Sequence, residues 1–220
     1  MRRSRDIHGA GEGKRGHPIF AALYDRMAAS AERKWMGGRR RRLLAGARGV
    51  VFEIGGGTGA NLPHYRDVDR VTVAEPDPFM RKRLSQKLAE ARVPVEVSEA
   101  GSEALPFPDG SFDTVVSTLV LCTVPDQGSA LDEIRRVLRP GGRLLFIEHV
   151  RAEGSAARWQ DRLEPLWRRL FGGCHPNRET VAVIEEAGFE IESFESFRPP
   201  DSLSVLMPCV QGSATVRLAA

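Results

Sequence analysis

Between Val50 and Tyr65 the chain reads VVFEIGGGTGANLPHY, an apolar run that gives way to four glycines within five positions. A short apolar run predicts a buried strand. The glycines that follow predict a sharp turn whose backbone lies close against something. In an open α/β sheet, the first such turn faces the crevice beyond the carboxyl ends of the strands, where ligands sit.

The pattern continues downstream. Strands are predicted at 49–54, 71–75, 94–98, 112–118 and 143–149, with helices around 60–66, 78–91 and 127–138 between them. This alternation predicts an α/β fold: a Rossmann-like, doubly wound and mostly parallel sheet with right-handed crossovers. The tail has another rhythm. A helix around 156–170 leads into the loop FGGCHPN, and a helix from Arg178 to Glu186 ends at Gly188, a C-cap. FEIESFESF and SVLMPCVQGSATVRL then read as two strands, an antiparallel pair closing the sheet. Pro140-Gly141-Gly142 reads as a turn before strand five.

Ahead of the first strand, Ile19, Phe20, Leu23, Met27, Trp35 and Leu43 recur at helical spacing, predicting two helices broken at Gly37-Gly38. Residues 1–16 are expected to be a disordered basic tail. Residues 17–220 are expected to be one domain: an N-terminal helical lid (17–48), a cofactor-binding core (49–150), and substrate-side helices with the closing strands (151–220).

Composition narrows the classes. No apolar run approaches the ~20 residues of a membrane-spanning helix, and the charged N-terminus lacks the apolar centre of a secretion signal. Cys122, Cys174 and Cys209 are odd in number, far apart and without a CxxC pair. That spacing argues against a disulfide framework and against a metal site, and for a reducing cytoplasm. Residues 1–48 carry 13 Lys/Arg against 4 Asp/Glu, leaving 19 against 25 for the remainder. A basic head of this kind suits a solvated tail, or at most weak peripheral contact with an anionic membrane. No RNA motif or recognition helix accompanies it, so nucleic acid is not an expected partner.

Gly55, Gly57 and Gly59 form GxGxG, a spacing related to dinucleotide loops. Glu53, just ahead of them, would repel a pyrophosphate and hold an ammonium, and a carboxylate in a buried strand needs such a partner. The second strand runs into Glu75, about 20 residues on, where a carboxylate can accept both hydroxyls of a ribose. The ligand that fits is a nucleoside carrying an amino acid: S-adenosylmethionine.

With FEIGGGTG, VTVAEPD, LPFPDGSFDTVVS and EIRRVLRPGGRLLFIEHV in this order, the chain resembles class I S-adenosylmethionine-dependent methyltransferases of the type 11 family. TLVLCTV, EPLWRRLFGGCHPNRET and YDRMAASAERKWMG bring it closer to the animal methyltransferase-like alkyl thiol methyltransferases. Those carry a hydrophobic N-terminal anchor where this chain has a short basic segment. The resemblance implies that Glu53, Gly55, Gly56 and Gly57 hold the methionine end of the cofactor. It further implies that Glu75 binds the ribose and Pro76 flanks the adenine. Gly101, Ser102 and Glu103 would meet the adenine amine, with Gly101 where the family usually has Asp. Thr118 and Leu119 would line the cofactor and face the acceptor.

Methyl transfer from a sulfonium is an in-line displacement, and positioning alone can supply roughly 7–11 kcal/mol. The product is S-adenosylhomocysteine. A base is needed only for a protonated nucleophile, and His149, at the end of strand five, is the candidate base or substrate contact. His175 and Cys174 are weaker candidates. The acceptor is expected to be a small, fairly apolar molecule such as an alkyl thiol, against Leu119, Val120, Phe171 and Trp167. A quinone precursor, phenol or phospholipid is the alternative; a non-catalytic S-adenosylmethionine-binding module is the reading from a different class.

Overall fold

A computed structural model describes residues 18–200 and 206–217. The expected tail over 1–16 and its membrane contact therefore lie outside the described residues. No helix among the described residues is long and apolar enough to cross a membrane.

The run VVFEI is β1 (Val50–Ile54), buried along its whole length. It lies between β2 (Arg70–Ala74) and β4 (Phe112–Thr118), with β3 (Val95–Ser98) beyond β2 and β5 (Leu138–His149) beyond β4, all parallel. β7 (Cys209–Val216) runs antiparallel to β5 and to β6 (Phe189–Phe197), giving the order β3-β2-β1-β4-β5-β7-β6. Chain direction along the sheet reverses between β1 and β4, so the ligand crevice of such a fold opens above these two strands.

The N-terminal arm is α1 (Pro18–Ala31), a π turn (Glu32–Met36) and α2 (Gly37–Leu44). Gly37-Gly38 does not break the arm. The backbone N–H of Gly37 bonds to the Glu32 carbonyl, the wider π spacing. A Cβ on residue 37 would stand 2.9 Å from that oxygen, so the absent side chain is what lets the turn close. Three more helices pack on the sheet: α3 (Pro78–Gln86), α4 (Gln127–Val137) and α6 (Thr180–Glu186), while α5 (Gly154–Leu170) lies toward the crevice. Asp77 and Asp126 set two of the starts, each accepting backbone N–H bonds from the first turn of α3 and α4.

Alternation along β1 sends Phe52 and Ile54 to one face, with Phe146, Leu131 and Ile134 of the α4/α6 side. Val51 goes to the other, with Val73, Leu145, Leu43 and Leu84 of the α2/α3 side. Each such buried side chain contributes about 1.5–3 kcal/mol, and covering both faces explains why the strands read as continuous apolar runs. Glu53 falls on the α2 side by the same period.

Two further expectations change. The helix around 60–66 is a single 3-10 turn, Leu62–His64, because the Asn61 side chain is taken up elsewhere and does not cap it. Gly141-Gly142 lies inside β5, where the pairing with β4 shifts register, not in a turn before it.

Candidate active site

The glycines divide the work of the first turn. Gly55 has φ +57°, and a Cβ there would lie 2.6 Å from Val120 Cγ2; the loop is pressed onto the end of β4. Gly57 has φ +56° with nothing within 4 Å of its missing Cβ, so it faces open space. Gly56 packs the other way, onto Val73. Glu75, only 7% exposed, ties this loop to the next: its Oε2 accepts the Gly57 N–H at 2.7 Å and its Oε1 the Asp77 N–H at 2.8 Å. Burial raises its pKa against those bonds.

Above β1 and β4 lies a cavity of about 760 Å³. Gly55, Gly57, Glu75 and Pro76 line one side, Gly101, Ser102 and Glu103 a second, and Thr118, Leu119 and His149 a third. Glu103 also caps Asp126, accepting its N–H at 2.9 Å. Leu119 is the non-glycine residue at positive φ (59°) among the described residues, at the lip of this cavity; its N–H is held by Ile147 O at 2.7 Å. Strain of that kind costs of order 1–3 kcal/mol and persists where the surroundings enforce it.

Glu53 and Gly56 do not line the cavity. The Glu53 carboxylate lies behind the glycine loop, accepting Tyr65 Oη–H at 2.7 Å and Asn61 Nδ2–H at 3.0 Å. Asn61 Nδ2 also reaches Thr118 Oγ1 at 3.1 Å, and its Oδ1 accepts from Arg40 Nη1 at 2.9 Å. Glu53 is thus two hydrogen bonds removed from a cavity residue, Thr118. Burial, opposed by Tyr65, Arg40 and Asn61, pushes its pKa from 4.5 to about 7. A carboxylate raised in the folded state stabilises it fully only below the unfolded pKa, and that contribution is lost as pH rises through the folded value. The protein should therefore lose about 3 kcal/mol between pH 4.5 and 7 from this group. Glu53→Gln should flatten the urea-midpoint profile across that window; an unchanged profile would show that Glu53 titrates normally.

The arm forms the roof. Tyr24, Met27, Ala28 and Ala31 of α1 line the cavity. Asp25 fastens α1 to the core through Thr58 Oγ1 at 2.6 Å and Lys87 Nζ at 3.1 Å. A smaller chamber of about 290 Å³ adjoins, walled by Trp35, Leu119, Trp167 and Met207; its charged Glu32 and Arg40 are paired with each other at 3.2 Å. Leu119, Val120, Phe171 and Trp167 all line the main cavity, the last pair stacked at 4.1 Å. Trp159, by contrast, is exposed.

Two residues missed in the sequence shape the turn after β4. Glu148, fully buried, accepts Ser117 Oγ–H at 2.6 Å and the N–H groups of Val120, Leu121 and Cys122 at 3.1 Å each. Arg178 donates from the other side, to Leu121 O at 2.8 Å and Val124 O at 2.7 Å. The signal for Glu148 was available: a carboxylate inside LLFIEHV poses the same question as Glu53 in VVFEI.

That turn carries Cys122 to His149 and Cys174. Cys174 Sγ lies 3.8 Å from Cys122 Sγ and 3.4 Å from His149 Nδ1, and Cys122 Sγ is 3.6 Å from the same nitrogen. The three form, among the described residues, a group able to hold a metal ion, contrary to the expectation from spacing. Sequence distance misled there because the turn at Gly172-Gly173 folds the tail back, with His175 N–H bonded to Cys122 O at 2.7 Å. His175 itself points away, to Glu164 at 2.7 Å. The Cys122 hydrogen bond, with His149, lowers Cys174 to about 5 against burial. Burial opposes charge on His149, but the bonds to Cys174 and Cys209 outweigh it and raise its pKa to about 10. His149 lines the cavity, with Nδ1 turned to the two sulfurs.

Residues 52–146 match the family model described as a methyltransferase domain. The chain is 39% identical over 202 residues to the human thiol S-methyltransferase TMT1A, covering 89% of this chain and 82% of that protein. It is 42% identical over 178 residues to human thiol S-methyltransferase TMT1B, covering 78% and 73%. In fold it is similar to a crystal structure described as a methyltransferase from Bacillus halodurans, with TM-score 0.69 and 17% identity, over 83% of this chain and all of that one.

Proposed function

Because this chain belongs to the S-adenosylmethionine-dependent methyltransferases, we propose that its acceptor is a small alkyl thiol. The observation that supports this reading is the apolar wall of Leu119, Val120, Trp167, Phe171 and Met207 beside the crevice. It suits an uncharged molecule of modest size, and the relatives 39% and 42% identical to this chain are named for thiols.

The cofactor roles follow from position. Gly55 and Gly57 leave backbone open to the methionine end, and Glu53, through Asn61, lends that end negative potential. Glu75 has lone pairs left for the ribose hydroxyls beyond its two backbone bonds. Pro76 and the Gly101–Glu103 loop enclose the adenine. Thr118 and Leu119 stand between cofactor and acceptor. With the sulfonium already an activated leaving group, the protein's task is to align the acceptor sulfur, the methyl carbon and the sulfonium sulfur and to exclude water, which the α1 roof serves. The acceptor's lone pair forms the new S–CH3 bond as the sulfonium C–S bond breaks onto S-adenosylhomocysteine.

Purified chain with S-adenosylmethionine should form S-adenosylhomocysteine with short alkyl thiols at least tenfold faster than with phenols, quinone precursors, amines or phospholipid dispersions. A faster rate with a phenolic quinone precursor would overturn the thiol reading. Tight cofactor binding with no turnover on any of them would favour a binding module.

A further inference from the structure

Three ligand-type side chains meet at the cavity wall: Cys122 from the turn after β4, His149 from the end of β5 and Cys174 from the loop after α5. Zinc bonds thiolates at about 2.3 Å and imidazole at about 2.0–2.1 Å, with tetrahedral angles. Those bonds separate two sulfurs by about 3.8 Å and a sulfur from a nitrogen by about 3.6 Å. The observed separations are 3.8 Å between the sulfurs and 3.4 and 3.6 Å from each to Nδ1. The triangle is one face of a zinc tetrahedron. A single nitrogen, Nδ1, faces both sulfurs, as one ligand atom would. The supports are in place as well. Glu148 and Arg178 fix the turn bearing Cys122. Cys209 stands opposite His149 in the β5–β7 register, at the closed end of that strand pair.

We propose that Cys122, His149 and Cys174 are a three-ligand zinc site whose fourth position, on the cavity, takes the sulfur of the acceptor. Three protein ligands with one position left for water or substrate is the pattern of catalytic zinc, whereas structural zinc is closed by four. Bound there, the thiol loses its proton to solvent, because a coordinated thiol is deprotonated outright. The zinc-held thiolate then donates a lone pair to the cofactor's methyl carbon, the C–S bond of the sulfonium breaks, and that electron pair stays on S-adenosylhomocysteine. The thioether product is neutral, a weak ligand, and leaves. One proton is released per methyl transferred. The ion's role in acceptor activation rests on the thiol reading above; the site itself does not.

The test begins with full-length chain stripped by chelator and titrated with Co(II), whose tetrahedral thiolate complexes absorb strongly. One equivalent should produce thiolate-to-cobalt charge-transfer absorption, Zn(II) should bleach it, and a short alkyl thiol should intensify it as a third sulfur joins. Cys174→Ser and Cys122→Ser should lose the absorption while still binding S-adenosylhomocysteine, which shows that they fold; His175→Gln should keep it. Losing even an outer partner of a metal ligand costs roughly 10–100-fold. Stripping the metal should therefore slow thiol methylation by at least that much, with recovery on adding Zn(II). A stripped chain that binds S-adenosylhomocysteine but gives no charge-transfer absorption with Co(II) would overturn the site, as would a Cys174→Ser chain that keeps it. Full-rate thiol methylation by stripped chain would overturn the activating role and leave the thiol reading standing. Cobalt absorption that thiols intensify, with no S-adenosylhomocysteine ever formed from them, would support the site and sink the thiol reading.

Discussion

Glu148→Ala should lower stability by about 3–5 kcal/mol, the range for removing one partner from a buried charged network. The carboxylate is fully buried and receives four donors, three of them successive backbone N–H groups of the turn that carries Leu121 and Cys122. Alanine leaves all four without acceptors, and each unsatisfied buried group costs about 1–3 kcal/mol, less where cavity water reaches it. Burial raises the Glu148 pKa, opposed by those same bonds, so part of the gain is already offset by desolvation and the simple sum overshoots. Glu148→Gln should fall in between, since one of its two polar atoms can only donate. Urea unfolding of the three proteins measures this directly. A loss under about 1 kcal/mol for the alanine variant would mean that the turn holds its shape without the carboxylate.

Glu75→Ala should weaken S-adenosylmethionine by about 1.5–3 kcal/mol, or between tenfold and somewhat over a hundredfold. Two effects combine. The ribose loses a charged acceptor, and Gly57 N–H and Asp77 N–H lose theirs, freeing the glycine loop and the start of α3 together. Glu75→Gln retains one acceptor oxygen and should recover part of the loss. Titration calorimetry with the cofactor, alongside Glu53→Gln as a comparison, separates the sites. Glu53 does not line the cavity, so its amide variant should affect stability more than affinity. Equal affinity in the Glu75→Ala chain would place the ribose elsewhere.

Much of this was legible beforehand because strands and glycine turns are local signals. Phe112–Thr118 was read to the residue, since β-branched and apolar residues fill five of its seven positions. Of the eleven residues read as cofactor-binding, the nine that line the cavity (all but Glu53 and Gly56) share one cause: they sit at or just beyond the carboxyl ends of strands, where chain order alone places them. What stayed hidden depends on long-range meeting. Cys122 and Cys174 are 52 positions apart, and only the fold of the tail over β4 brings their sulfurs together. Arg178 likewise reads as an ordinary charged residue at a helix start until the carbonyls of 121–125 stand in front of it. The π turn was missed for the opposite reason: glycine pairs usually end helices, and here the missing Cβ extends one.

The hub at Asn61 has a practical consequence for anyone shortening this chain. Its amide joins Arg40 of the arm to Glu53 beneath the glycine loop and to Thr118 at the cavity, so the second half of the arm is wired into the cavity floor. Met36, Leu43 and Leu44 are buried in the sheet's own core besides. Cutting after residue 45 would remove hydrophobic packing and a buried guanidinium along with the roof, and would report on unfolding. A cut after Ala31 takes away α1 while sparing Arg40 and its partners. That junction, between a removable cover and an indispensable beam, is where residues 18–44 divide into two parts.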